Sequence, residues 1–198
     1  MSATSPISPR WEWRTWGDSF GSAEATLARW DAAGGSEGDE RYLLTADGDN
    51  VKIRDDLVDI KVLREVDKAG LERWEPTLKA SFPLDQPTLA TIFASLRTAL
   101  PSLSSESYSE DQLMTELIGT DDHIRVAHVH KRRVRYRRGD CMGELTDFAV
   151  DGTPIRTIAL ESTDPALVTA QVTALGLADR TNTSVPRALL VLLAQGHP

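Results

Sequence analysis

Short runs in which apolar and polar residues alternate recur along the chain, the period-two signature of strands with one buried face. In segment 51–54, Val51 and Ile53 share one face while Lys52 and Arg54 share the other. Segment 58–63 repeats this, with Val58, Ile60 and Val62 opposite Asp59 and Lys61. Segment 73–79 alternates Arg73 and Glu75 with Trp74, and segment 11–16 alternates Glu12 and Arg14 with Trp11 and Trp13. Further strands are expected at 41–45, 124–137, 142–150 and 155–162. Gly-rich and Asp-Gly turn chemistry at 33–36, 46–50 and 150–154 separates them. Helices are expected where the period lengthens. Residues 86–100 set Leu89, Ile92, Phe93, Leu96 and Leu100 along one stripe. Ser109 and Gln112 form a capping-box pattern before Met114 and Leu117. Asp164-Pro165 opens a third helix that stops near Gly176, and Pro186 opens a last apolar one over 188–194. Strands mixed with segregated helices predict an α+β fold on a mostly antiparallel sheet.

Length and composition narrow this picture. A chain of 198 residues fits one domain, which buries roughly 70% of its unfolded surface without a staple. The expected organisation is a flexible tail over 1–10 and a single domain over 11–198. The lone Cys141 has no disulfide partner and no paired spacing for zinc. The start of the chain has no apolar run of the secretory type. The longest apolar stretch, 188–194, falls far short of the ~20 residues that cross a bilayer. A cytoplasmic protein with no membrane partner is therefore expected. With 22 basic and 30 acidic side chains, net charge −8, general binding to nucleic acid is disfavoured.

The cations are unevenly placed. Arg125, Lys131, Arg132, Arg133, Arg135, Arg137 and Arg138 fall in one strand-like segment that contains no acid. Such a segment is either a local anion site or a solvated edge strand whose charges discourage pairing. The alternating faces of the other strands carry mostly ionised residues in place of Ser, Thr, Asn and Gln. That composition suits a polyanion held by Arg and Lys, with carboxylates orienting the cations or holding a divalent ion.

In order and spacing these segments resemble the CYTH family, the triphosphate tunnel metalloenzymes. The matching runs are 51–54, 58–61, 73–75, 129–133 with Tyr136, 141–148, and 158–161 ending in Glu161. The resemblance spans roughly residues 11–190. It implies a closed eight-stranded antiparallel barrel with flanking helices, whose basic interior grips a triphosphate or polyphosphate and whose acids bind Mg2+ or Mn2+. Residue by residue, it implies phosphate contacts from Lys52, Arg54, Lys61, Lys131 and Arg133, with Arg73, Arg135 and Arg14 beside them. Glu12, Glu144 and Glu161 become the metal set, and Lys61 and Glu75 the catalytic pair. One departure matters. The family opens with Glu-x-Glu-x-Lys, and here that run is Glu12-Trp13-Arg14-Thr15-Trp16. An Arg replaces the second acid and a Trp replaces the Lys; Ala159 stands two residues before Glu161, where a further acid is expected.

Three functions remain open at this level. A metal-dependent triphosphatase needs positioning and charge neutralisation more than a Ser/His/Asp nucleophile, and no such triad pattern is apparent. A binding module for a nucleotide or polyphosphate, with the metal site lost, accords with the altered opening run. Nucleic-acid contact through 125–138 is the weaker alternative, because only Tyr136 offers a stacking surface there.

Overall fold

The structure, a computed structural model, describes residues 8–195. Strand β1 (Arg10–Gly17) leads through helix α1 (Ser22–Leu27) to β2 (Asp31–Leu44), β3 (Asn50–Arg54), β4 (Leu57–Val66) and β5 (Glu72–Ser81). A short pair, β6 (Leu84–Asp85) and β7 (Ser107–Tyr108), brackets helix α2 (Gln86–Leu96). Helix α3 (Glu110–Gln112) continues as a π-helical turn over Leu113–Ile118. Strands β8 (Arg125–Arg138), β9 (Cys141–Val150) and β10 (Thr153–Ser162) follow, then helices α4 (Pro165–Ala174) and α5 (Val185–Gln195). Eight strands form a closed antiparallel barrel in the order β1-β10-β9-β8-β2-β3-β4-β5. Of the 1–10 segment set apart in the sequence, 1–7 lies outside the described residues, and Arg10 opens β1.

The barrel is inside-out. One apolar cluster lies on its outer wall, where Leu43, Val51, Ile53, Val58 and Ile60 meet Leu89, Ile92, Phe93 and Leu96 of α2. A second lies where Trp11, Trp13, Ile158 and Leu160 meet Leu27 of α1 and Val168 and Val172 of α4. The third is inside, at one end. There Tyr42, Leu44, Ala127, Val129, Phe148 and Val150 pack against Val185, Leu189 and Leu193 of α5. Helix α5 thereby closes that end, and Arg187 on it pairs with the buried Glu72 at 2.7 Å. The alternate positions on the same strands are charged and face the hollow that remains.

Local chemistry sets the boundaries. Asp85 caps α2 by accepting from the Thr88 N–H at 2.9 Å. The capping box between Ser109 and Gln112 is present. Asp164 caps α4 by accepting from the Ala166 N–H. The stripe expected over 86–100 ends as helix at Leu96, because Arg97 turns left-handed (φ 56°) and the Thr98 N–H returns to the Phe93 carbonyl. The stretch 33–36, expected as a turn, lies within β2. There β2 pairs with the 14-residue β8, and a register shift between Ala32 and Gly35 absorbs the glycines. A side chain at Gly35 would meet the Arg133 carbonyl at 2.8 Å, so close pairing requires glycine. Helix α1, with no period strong enough to announce it, is fixed by packing; a Cβ at Gly143 would strike Leu27 at 2.3 Å.

Closure depends on a seam. Strand β1 pairs with β10 from Trp11 to Gly17, but with β5 only from Arg10 to Glu12. Beyond that point the segment before α5 completes the edge. The Asn182 side-chain oxygen accepts from the Arg14 N–H at 2.7 Å, and its amide donates to the Gly70 carbonyl at 2.6 Å. The Thr183 N–H donates to the Arg14 carbonyl at 2.8 Å. A side-chain amide thus does the work of a strand where the ladder runs out.

Candidate functional site

The barrel encloses a cavity of 440 Å³. Its lining includes Arg14 and Glu12 from β1, Lys52 and Arg54 from β3, Asp59 and Lys61 from β4, and Thr77 and Lys79 from β5. Strand β8 adds Lys131, Arg133 and Arg135, and β9 and β10 add Glu144 and Glu161. Eight cations meet four carboxylates on this lining, an excess of four positive charges in a chain of net charge −8. A second groove, of 570 Å³, lies partly on the outer surface and is acidic, with Asp39, Asp55, Asp56, Glu110 and Asp151 among its residues. An anion is drawn to the first and repelled from the second.

Most of the residues singled out in the sequence converge here, and two do not. Arg73 pairs with Glu65 at 3.4 Å and lies over the Trp11 ring on the outer wall. Glu75 pairs with Arg64, also outside the cavity. The reason is a bulge. The β4–β5 register shifts between Ile60 and Lys61, so Pro76 and Thr77 both reach the cavity lining. One extra residue inverts the facing of the side chains on one side of it relative to the other. Arg73 and Glu75, which precede it, therefore face away from the hollow that Lys79 enters. Lys61 stays inside, so the expected catalytic pair Lys61 and Glu75 is split. The basic run on β8 also divides by face: Lys131, Arg133 and Arg135 line the cavity, whereas Arg132 pairs outside with Asp147 at 2.7 Å.

Two layers of charge can be distinguished. Deepest is Glu40, which lies just outside the strand expected over 41–45 but within β2. Its oxygens take the Tyr42 hydroxyl at 2.6 Å and the Lys52 ammonium at 3.0 Å. Burial would raise the Glu40 pKa, but Lys131, Lys52 and the Tyr42 hydroxyl bring it down to about 2. Burial, followed by the Glu40 charge, pushes Tyr42 up, so its hydroxyl stays a donor. Extending the alternation two residues upstream of Tyr42 was the available signal for Glu40.

Nearer the mouth, Glu144 is the hub. Its oxygens lie 3.4 Å from the Arg14 Nη2, 3.3 Å from the Arg133 Nη1 and 3.7 Å from the Arg135 Nε, and accept the Thr146 hydroxyl at 3.0 Å. Burial opposes its charge, yet Lys131, Arg14 and Arg133 hold its pKa far below the usual carboxylate range. Glu12 takes the Arg14 Nε at 3.0 Å, and despite burial its pKa is lowered by Arg14 and Lys61. Glu161 takes Arg10 at 2.7 Å. The carboxylates are spoken for; several cations are not. The buried Arg133 Nε has no hydrogen-bond partner. The Lys131 ammonium lies 3.9 Å from Glu40 and 5.1 Å from the Phe148 ring centre. Among the described residues, Lys61 and Lys79 enter no ion pair.

A divalent ion is the other cation that these carboxylates could face. Such an ion needs several oxygens free to converge on one point. Glu12, Glu144 and Glu161 all line the cavity, but a guanidinium engages each, and Arg14 lies between Glu12 and Glu144. Among the described residues, no group of three or more His, Cys, Asp and Glu side chains is arranged to hold a metal. The residues present do not fit Mg2+ or Mn2+.

No protein-family model and no curated protein matches the sequence. Solved structures do match in shape. HpAC1 from Hippeastrum, a candidate adenylyl cyclase described as having a dominant triphosphatase activity, is 14% identical, with TM-score 0.52 over 96% of this chain and 97% of that one. A candidate adenylate cyclase from Bacillus halodurans is 13% identical, with TM-score 0.47 over 87% and 92% of the two chains. The PH1012 protein from Pyrococcus horikoshii is 15% identical, with TM-score 0.46 over 84% and 90%. At these identities the likeness speaks to fold alone, and only the HpAC1 match is strong enough to carry it. The chain shares with HpAC1 the fold of a closed eight-stranded antiparallel barrel, the architecture that the CYTH resemblance implied.

Proposed function

We infer that this protein binds a triphosphate-type anion, inorganic or as part of a larger molecule, inside the barrel through the end that α5 leaves open. One observation carries the reading: within an enclosed cavity each lining carboxylate is already engaged by an arginine, while Lys61, Lys131 and the Arg133 Nε keep donors unspent. Unspent buried donors are costly until an acceptor arrives, and phosphate oxygens are the strongest acceptors for Lys and Arg. Lys131 forms the floor, Arg133, Lys52 and Lys61 the walls, and Arg135, Arg54 and Lys79 the mouth. This ladder of cations suits successive phosphates of a linear chain.

Hydrolysis of the bound phosphoanhydride is the second reading, favoured by the activity described for HpAC1. It needs a carboxylate free to orient water. Glu12, Glu144 and Glu161 are instead held by Arg14, Arg133, Arg135 and Arg10, so binding without turnover is the reading preferred here. Titration calorimetry with inorganic triphosphate, run beside a phosphate-release assay with Mg2+ and Mn2+, tests both. One-site binding with no released phosphate is expected. Sustained phosphate release would make the protein a triphosphatase, and no heat of binding under any condition would end the anion reading.

A further inference from the structure

We propose that Arg14 is a built-in counter-cation: its guanidinium takes the place a divalent ion would hold between Glu12 and Glu144, so the cavity receives its anion without metal. The proposal deepens the anion-binding reading and rests on it for its second half only.

The geometry is that of a bridge. Arg14 Nε donates to Glu12 Oε1 at 3.0 Å, while Nη1 and Nη2 both lie 3.4 Å from Glu144 Oε1. Nη1 also donates to the Thr157 hydroxyl at 3.3 Å. One planar group therefore links the adjacent strands β1, β10 and β9 along one wall of the hollow, as a cation shared by two carboxylates would. Its side chain is only 7% exposed, and its backbone is pinned on both sides, by the Asn182 side chain and the Thr183 N–H. The backbone bonds fix where the side chain starts, and Glu12, Glu144 and Thr157 hold the guanidinium itself. A guanidinium presents five donors in a fixed fork and keeps its charge at all accessible pH. Burial disfavours that charge, but Glu12 and Glu144 more than restore it. Unlike a bound ion, it cannot dissociate and no chelator removes it.

The consequence for the ligand is electrostatic. A metal site uses its carboxylates to hold an ion that then faces phosphate. Here one oxygen of each carboxylate is spent on Arg14, and the far oxygen of Glu144 on Arg133 and Arg135. The anion meets cations directly, with the acids standing behind them as orienting partners. A divalent ion brought in on the ligand would lower the ligand's charge and bring a second cation toward Arg14. Added Mg2+ should therefore weaken binding or leave it unchanged.

The experiment has a metal arm that needs no anion. Mn2+ is titrated into the full-length protein and followed by electron paramagnetic resonance. The wild type is expected to show no saturable site. Arg14→Glu and Arg14→Gln, which release the oxygen of Glu12 and of Glu144 that Arg14 engages, are expected to gain one, at least about tenfold tighter than any wild-type uptake and reversed by EDTA. Melting and circular dichroism establish that each variant is folded. If neither is, the wild type decides: saturable Mn2+ uptake abolished by Glu144→Gln overturns the proposal, and its absence upholds it. The anion arm titrates inorganic triphosphate into the wild type in EDTA, then with Mg2+. Equal or weaker binding with Mg2+, within about threefold if equal, is expected. A gain of roughly tenfold or more on adding Mg2+ would overturn the proposal while leaving the anion reading intact. Failure to bind triphosphate at all would sink the anion reading, and the metal arm would still decide what Arg14 does.

Discussion

Lys131 shows how one buried residue joins stability to binding. Burial lowers its pKa from the ordinary 10.5 to about 8, with Lys52 and Arg14 acting in the same direction and Glu144 and Glu40 against it. Because the folded value lies below the unfolded one, the charged ammonium costs stability below pH 8, and that cost is relieved as pH rises toward 10.5. Anion binding has the opposite sense. A phosphate beside Lys131 favours the ammonium, so above pH 8 binding must draw a proton from solution. Affinity for triphosphate is expected to fall by up to about tenfold per pH unit above 8, with proton uptake visible as a dependence of the binding heat on the buffer. In Lys131→Met this pH dependence should vanish and affinity should drop, while the melting temperature at pH 7 holds or rises. A melting temperature that collapses would make Lys131 a structural ion-pair residue.

At the scale of elements, the barrel is held shut by a segment that belongs to no strand. Asn182 supplies the hydrogen bonds that the β1–β5 ladder lacks beyond Glu12, and α5 follows directly to close the barrel floor. Replacing Asn182 by Ala leaves the Arg14 N–H and the Gly70 carbonyl without these partners, at a cost of about 1–3 kcal/mol. For a chain of this length that lowers the melting temperature by roughly 2–4 °C per kcal/mol. The slope of urea unfolding should stay the same, since the surface exposed on unfolding does not change. Anion affinity should fall as well, because the same bonds position Arg14. A stability loss with affinity untouched would mean that the seam and the cavity are independent.

The whole molecule separates charge by depth: an acidic exterior surrounds a cavity with surplus cations. Long-range repulsion from the outer acids opposes an approaching polyanion, while the enclosed cations attract it at short range, where salt screens least. Raising ionic strength from about 0.02 to 0.2 M should therefore weaken binding only several-fold, less than an open basic surface would lose. A loss of many orders of magnitude would place the anion on the exterior. The same inside-out plan explains why α2 and α4 are needed: they cover apolar outer walls that water would otherwise meet.

Strand alternation and spacing alone established the antiparallel α+β class, most strand positions, and which residues share a charged face, because a period of two is a local property of the chain. The opening run likewise revealed an Arg where a second acid was expected, and Arg14 became the centre of the site. Only the tertiary structure decided which way the charged face turns. Alternation is identical for a solvated sheet and for a tunnel, and the choice comes from helices packing outside and closure through the seam. It also decided against extending the face through 73–79, where a bulge at Pro76 and Thr77 sends Arg73 and Glu75 outward. That bulge is a matter of pairing with β4, to which β5 by itself carries no reference.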